Sequence, residues 1–329
     1  MDVRTAGSAR PLNRLPTPDS VNFRKIAWIY AVGVIGYHLI ALLAFLPWFF
    51  SWTGVALAIA GCYVFGTLGI NLCYHRLLAH RGFNCPKWLE HGLAVLGVCC
   101  LQDTPARWVA VHRRHHQYAD EQEDSHSPLA GFFWGHMGWL LVENEDLTRL
   151  RIYDRYAKDV LSDRFYRSLE RNGRWVQIIF LSWFVFFLGG FGAELLLGGT
   201  PVQALQFGAS LLIWGVFLRT VLVWHITWSV NSVTHLWGYR SYATDEESRN
   251  NLFIGIISNG EGWHNNHHAD SRSVRHGHRW WELDITYQTV RLFSALGLAR
   301  NIVTSSPHLA AARLGGRLVT REHRVYPAE

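Results

Sequence analysis

The sequence predicts an all-α integral membrane protein, with four transmembrane helices in two hairpins and a helical cytoplasmic cap that holds a di-metal site. Three observations lead there. Long apolar runs come close to the length that crosses a bilayer, basic residues are confined to the segments between alternate runs, and many of the 18 histidines fall into short clusters.

Charged residues make up 17% of the 329 positions, against about 25% in an ordinary soluble domain. The shortfall is uneven, because some stretches carry almost no charge and others are crowded with arginine. Apolar runs cover about 26–50, 52–73, 175–197 and 205–230. Each is near the ~20 helical residues that span ~30 Å of hydrocarbon. Trp88–Leu101 is shorter and carries Glu90 and His91, so it predicts an interfacial or partly buried helix. Residues 1–25 are polar and proline-punctuated and lack the apolar core of a secretory signal. They predict a mostly disordered N-terminal tail, with residues 301–329 as a C-terminal one. The five cysteines have no CxxC spacing and mostly sit in apolar runs, so neither a disulfide framework nor a thiolate metal site is suggested.

Charge sets the topology. The linkers near 47–53 and 198–206 contain no Lys or Arg, whereas 75–174 and the segment after 230 are rich in both. The positive-inside rule then places both termini and a cap formed by 75–174 and 231–300 in the cytoplasm. No nucleic-acid partner is expected. Arg219 is the one basic residue inside a run, and its long side chain is expected to snorkel to the interface.

Three histidine clusters carry the chemistry: His75-Arg-Leu-Leu-Ala-His80, His112-Arg-Arg-His115-His116 and His264-Asn-Asn-His267-His268. Residues three and four apart share a helical face, so each HxxHH triplet converges on one side. Asn231 and His235 are also four apart and face one way. His75 and His80 are five apart, about 140° round a regular helix. Either they serve two ions or the helix distorts between them. From Trp52 to His75 is about 35 Å of helix and from Leu205 to His235 about 45 Å, enough for both runs to carry their histidines to the cytoplasmic boundary. Imidazole suits Zn, Cu, Fe and Ni. A single catalytic zinc needs only three protein ligands, so nine histidines suit two redox-capable ions better. Outside the clusters, His38, His91 and His225 are expected to be core or interface residues, and His276, His278, His308 and His323 solvated surface.

These boxes, with Asn231-Ser-Val-Thr-His235 between the last two, resemble those of membrane fatty acyl desaturases of the delta-9 type. The flanks at 131–141, 224–238, 260–268 and 279–300 strengthen the likeness, which covers roughly residues 26–300 as one desaturase domain. The resemblance implies two iron ions ligated by His75, His80, His112, His115, His116, His235, His264, His267 and His268, with Asn231 reaching one iron through water. It implies O2 as co-substrate and a cis double bond introduced into a saturated acyl chain, delta-9 being the expected position. Trp108 and Trp228 match positions that line the acyl tunnel, and Tyr63 on the second span is a candidate for its floor. Where animal acyl-CoA members have an Arg-Asp pair before the second box and basic residues after the GWLL stretch, this chain has Ala110-Val111 and Glu143-Asn144. A membrane lipid or a carrier-protein thioester therefore stands beside coenzyme A as the acyl carrier. The short tails hold no redox module, so a separate electron donor is implied, ferredoxin-like or cytochrome b5-like. Arg107, Arg113, Arg114, Arg149 and Arg151 give the cap a basic character suited to an acidic donor. Two other functions start from the same boxes: a di-iron hydroxylase, epoxidase or acetylenase, and a membrane metal transporter. A transporter should place its ligands near mid-bilayer, whereas these lie at the cytoplasmic side.

Overall fold

The computed structural model describes residues 14–171 and 173–305. Among the described residues, four helices are long and apolar enough to cross a membrane: Trp28–Phe45, Trp52–Ala79, Arg174–Leu196 and Pro201–His235. The second and fourth run further than the apolar pattern alone predicts, to Ala79 and His235. Each carries its histidines out of the apolar zone on continuous helix.

Local chemistry starts each hairpin return. Ser51 caps the second span, its Oγ accepting from Gly54 N–H at 2.9 Å. Thr200 and Gln203 form a capping box at the start of the fourth, with Pro201 in the first turn. The two turns also meet each other: Ser51 Oγ lies 2.7 Å from Ser210 Oγ, and Trp214 Nε1–H donates to Phe49 O at 3.0 Å.

The helix Lys87–Val98 lies against the second span and, at 12 residues, is too short to cross a bilayer. Gly69 and Gly97 allow this approach, since a Cβ on Gly69 would stand 2.4 Å from the Gly97 nitrogen. Glu90 is buried on this helix but partnered by Lys87 Nζ (2.8 Å) and Tyr166 OH (2.9 Å).

Two expectations need correction. Arg219 does not snorkel. It is fully buried, where it donates to Gly215 O and Cys99 O at 3.0 Å each and stacks over Phe65. The Cys99 carbonyl is at the end of the Lys87–Val98 helix, where carbonyls lack helical partners, and Gly215 O lies one turn back on the same span, so the guanidinium finds acceptors without reaching the interface. The N-terminal tail is ordered where it is described: Val21–Ile26 pairs antiparallel with Val142–Asn144. Its edge is tied down further by Glu145 N–H to Ser20 O and Ala27 N–H to Leu141 O, each 3.0 Å. Most of the rest of the described chain is helical, with irregular loops at 236–251 and 270–284. The cap contains Pro105–Tyr118, which carries the second box, and the short helix His264–Ala269, which carries the third.

Candidate metal centre

The second span changes its winding at Cys62 and continues to Ala79 as a π-helix, with hydrogen bonds reaching five residues back. This wider winding turns His75 and His80 to the same side, and their ring centroids stand 4.7 Å apart. The helix distorts, and both imidazoles enter one group.

That group contains His75, His80, His112, His116 and His267, with one ring nitrogen of each within 4.8 Å of the others. Neighbouring Nε2 atoms are 3.1 Å apart for His75 and His267, 3.0 Å for His267 and His116, 3.0 Å for His116 and His112, and 2.7 Å for His112 and His80. A second group contains His115, His235, His264 and His268. The helices of the second and third boxes serve both. His112 and His116, four apart, face the first group while His115 faces the second; His264 and His268 face the second while His267 faces the first. The groups touch where His116 stacks on His268, centroids 4.5 Å apart.

Carboxylates orient the rings from outside. His75 Nδ1 lies 2.7 Å from Glu261, His115 Nδ1 3.0 Å from Asp124 and His235 Nδ1 2.7 Å from Asp120. Each such contact holds the proton on Nδ1 and leaves a lone pair on Nε2, the arrangement that suits a metal ligand. The Nε2 atoms of His115 and His235 are buried with no hydrogen-bond partner among the described residues. Lone pairs converging in a dry site need a cation. An all-imidazole donor set of this size fits a pair of borderline-soft transition ions.

Protonation agrees with ligand duty. Burial, aided by the neighbouring rings, holds His80, His112, His116, His264, His267 and His268 well below the usual histidine range, so they stay neutral at pH 7. Burial disfavours charge on Asp120, Asp124 and Glu261. The facing imidazoles, and for Glu261 above all Arg76, nevertheless keep all three below the usual carboxylate range.

A cavity bordered by aromatic rings opens beside the first group. Tyr30 and Val34 of the first span, Trp224, Trp228 and Asn231 of the fourth, Trp108, Trp139 and Leu140 line it, and His112 of the first metal group forms part of its wall. Trp108 stacks on His112, centroids 4.9 Å apart. Trp108, Trp228 and Asn231 therefore gather at one cavity. Tyr63 does not line it; its hydroxyl lies 2.8 Å from Thr289 Oγ1, on the helix Ile285–Ala295.

A fatty acid desaturase family profile matches residues 50–300. The chain is 40% identical to an sn-2 palmitoyl-lipid 9-desaturase of Nostoc sp. (strain 36), over 88% of this chain and 95% of that one. It is equally 40% identical to an sn-1 stearoyl-lipid 9-desaturase of Synechocystis sp. (strain ATCC 27184 / PCC 6803 / Kazusa), over 84% and 80%. An icosanoyl-CoA 5-desaturase of Limnanthes douglasii is 37% identical over 83% and 71%. The chain belongs to the fatty acid desaturase family.

Several residues that hold this desaturase's centre together escape motif reading. Glu261 sits three residues before His264 in the third box's own flank. Asp120 and Asp124 follow the second box by four and eight residues, an acid-after-histidine spacing that could have flagged them. His276, expected on the surface, is buried at 1% exposure and its Nδ1 lies 3.3 Å from Glu261. It is drawn in because Val274 N–H pairs with Val303 O and His276 N–H donates to Asp284, folding that loop over the site. His278 is only half-buried, against Tyr242; His308 and His323 lie outside the described residues.

The basic face expected on the cap is largely internal. Arg113 is buried and donates to Leu78 O, Ala79 O and Asp159, closing the carbonyls at the end of the second span. Arg114 is buried against Glu123 O and Asp146. Arg107 bonds Tyr30 OH at 2.9 Å and Leu147 O at 2.7 Å. Of the set, Arg151 is exposed, 3.5 Å from Asp146, and the Arg149 side chain lies outside the described residues.

Proposed function

We propose that this desaturase is an O2-dependent 9-desaturase acting on a saturated acyl chain esterified in a membrane lipid. The carrying observation is that the aromatic cavity is lined both by His112 of one histidine group and by Asn231, one turn before His235 of the other. A chain lying in it passes both groups.

The first group would hold one iron through His75, His80, His112, His116 and His267. The second would hold another through His115, His235, His264 and His268, with Asn231 reaching it through water. Such a pair, when bound, would supply with O2 and two electrons an oxidant strong enough to remove hydrogen from an unactivated methylene, which no side chain can do. The protein's own part is positioning. Neighbouring methylenes are chemically alike, so the depth to which Trp108, Trp224 and Trp228 admit the chain selects the bond. Gln102 Nε2–H donates to Thr227 Oγ1 at 3.0 Å on the same wall, a polar clasp between the Lys87–Val98 end and the fourth span.

A lipid carrier is supported by two findings. Ala110 and Val111 are buried where the animal acyl-CoA members place charge, and Glu143 is engaged in the strand pair and with Lys25 at 4.0 Å. The Nostoc and Synechocystis relatives are named for lipid-bound substrates. Electrons come from a separate ferredoxin-like or cytochrome b5-like donor, and the positive-inside pattern supports a cytoplasmic side for both termini and the centre.

The test is expression in a host that lacks 9-desaturation, with double-bond location and lipid-class analysis of the products. Loss of two hydrogens, one each from carbons 9 and 10, in intact glycerolipids is expected. A product heavier by one oxygen would mean hydroxylation, and a product confined to the acyl-CoA pool would overturn the lipid carrier.

A further inference from the structure

The arginines nearest the metal groups are matched with acids or carbonyls: Arg76 with Glu261 and Asp284, Arg81 and Arg113 with Asp159, Arg114 with Asp146. A different set is not. Arg164, Arg167, Arg171 and Arg174, with Ser168, line one hollow at the edge of the cap. All four arginines are exposed, and no ion pair or side-chain hydrogen bond joins any of them to another described residue.

Their placement follows from local sequence. The helix Arg164–Glu170 buries Tyr166 and Leu169 and turns Arg164 and Arg167 outward. Gly173, in the left-handed region at φ 63°, swings the chain into the third span, and Arg174 is that span's first residue. The nearby acids are turned away. Asp163 caps the helix and faces Lys87 Nζ at 3.1 Å and His91 Nε2 at 3.0 Å. Glu170 accepts from Tyr153 OH at 2.8 Å.

Four guanidinium groups around one hollow repel each other. Arg174 adds to this by standing at the positive end of a 23-residue helix. Orientation in the membrane asks only for basic residues on the proper side; it does not ask that four converge with their acids excluded. The hollow sits where a lipid-facing span enters the bilayer, on the side of the membrane that carries the metal groups.

We propose that this hollow binds the phosphodiester headgroup of an anionic phospholipid of the surrounding leaflet. Guanidinium groups suit phosphate because they donate in pairs from a rigid plane, and Ser168 adds a hydroxyl to the lining. The bound lipid is a resident neighbour, and the acyl cavity is lined by a different set of residues.

The experiment uses the full chain purified in detergent and exposed to equal phosphatidylglycerol and phosphatidylcholine, with retained lipid counted by native mass spectrometry. The native chain should retain phosphatidylglycerol preferentially. The variant R164Q/R167Q/R171Q/R174Q should lose that preference by at least about tenfold. The variant R24Q/R272Q/R291Q/R300Q removes the same charge from other exposed arginines without ion pairs, and it should retain the preference. Equal loss in both variants, or no loss in the first, overturns the site. Displacement of the lipid by millimolar inorganic phosphate overturns the lipid assignment in favour of a free anion. If the fourfold variant does not fold, R164Q/R167Q and R171Q/R174Q each test the same point, with an intermediate loss expected.

Discussion

His80 donates its backbone N–H to the carbonyl of His75, five residues earlier, at 3.1 Å. That bond closes the π-wound stretch Cys62–Ala79, whose winding brings into one group two imidazoles that a regular helix would hold about 140° apart.

The partition predicts metal content. His75→Ala, His80→Ala and the double variant should each lose about one ion per chain and keep the other, with activity down more than about 100-fold. His264→Ala should lose the other ion. Elemental analysis of purified protein checks this; a double variant that lost both ions would place His75 and His80 in different groups.

Asp120 accepts from His235 Nδ1–H at 2.7 Å, from Glu247 N–H at 2.9 Å and from Ser127 Oγ–H at 2.7 Å. Asp120→Asn should weaken metal retention in the second group by about 10- to 100-fold and leave the first group loaded. Chelator-release kinetics would separate the two populations, and uniform release from both would contradict the assignment.

A Cβ on Gly97 would stand 2.4 Å from the Tyr74 ring, which is fully buried. Gly97→Ala should therefore lower stability by about 1–3 kcal/mol through overpacking. Gly92→Ala, on the same helix with open space around it, should be neutral or slightly stabilising. Thermal midpoints in one detergent test the contrast, and equal midpoints would refute it.

Cavity lining predicts regiochemistry. Trp228→Ala should broaden chain-length preference or shift the double bond, while Tyr63→Phe should leave the product profile unchanged and cost about 1 kcal/mol from the lost Thr289 contact. Gas chromatography of the products decides. A profile moved by Tyr63→Phe and not by Trp228→Ala would place the acyl chain elsewhere.

The depressed histidines predict an acid limit. Unfolded, they take protons near pH 6.5; folded, they resist until lower pH. The metal-stripped protein should therefore lose stability as pH falls below about 6.5, with further loss below about 4 as Asp120, Asp124 and Glu261 protonate. Bound metal should move the onset downward. A midpoint of the stripped protein that stayed flat between about pH 7 and 5 would contradict the neutral, proton-resistant cluster.

Sequence alone determined the elements whose signal is local. Apolar runs and arginine-free linkers marked four spans, and HxxHH spacing marked convergent ligands, because helix geometry relates residues three and four apart. Tertiary structure decided what joins distant segments or departs from regular winding. The shared group of His75 and His80 needed a π-helix, which a five-residue spacing leaves open. His276, Glu261 and Asp120 became part of the centre only when loops folded over it. Arg113, Arg114 and Arg219 look from sequence like surface or snorkelling cations, yet each is buried: Arg113 and Arg219 against carbonyls at a helix end, Arg114 against a loop carbonyl and Asp146. Burial of a charge depends on acceptors supplied from elsewhere in the chain, and no local pattern records them.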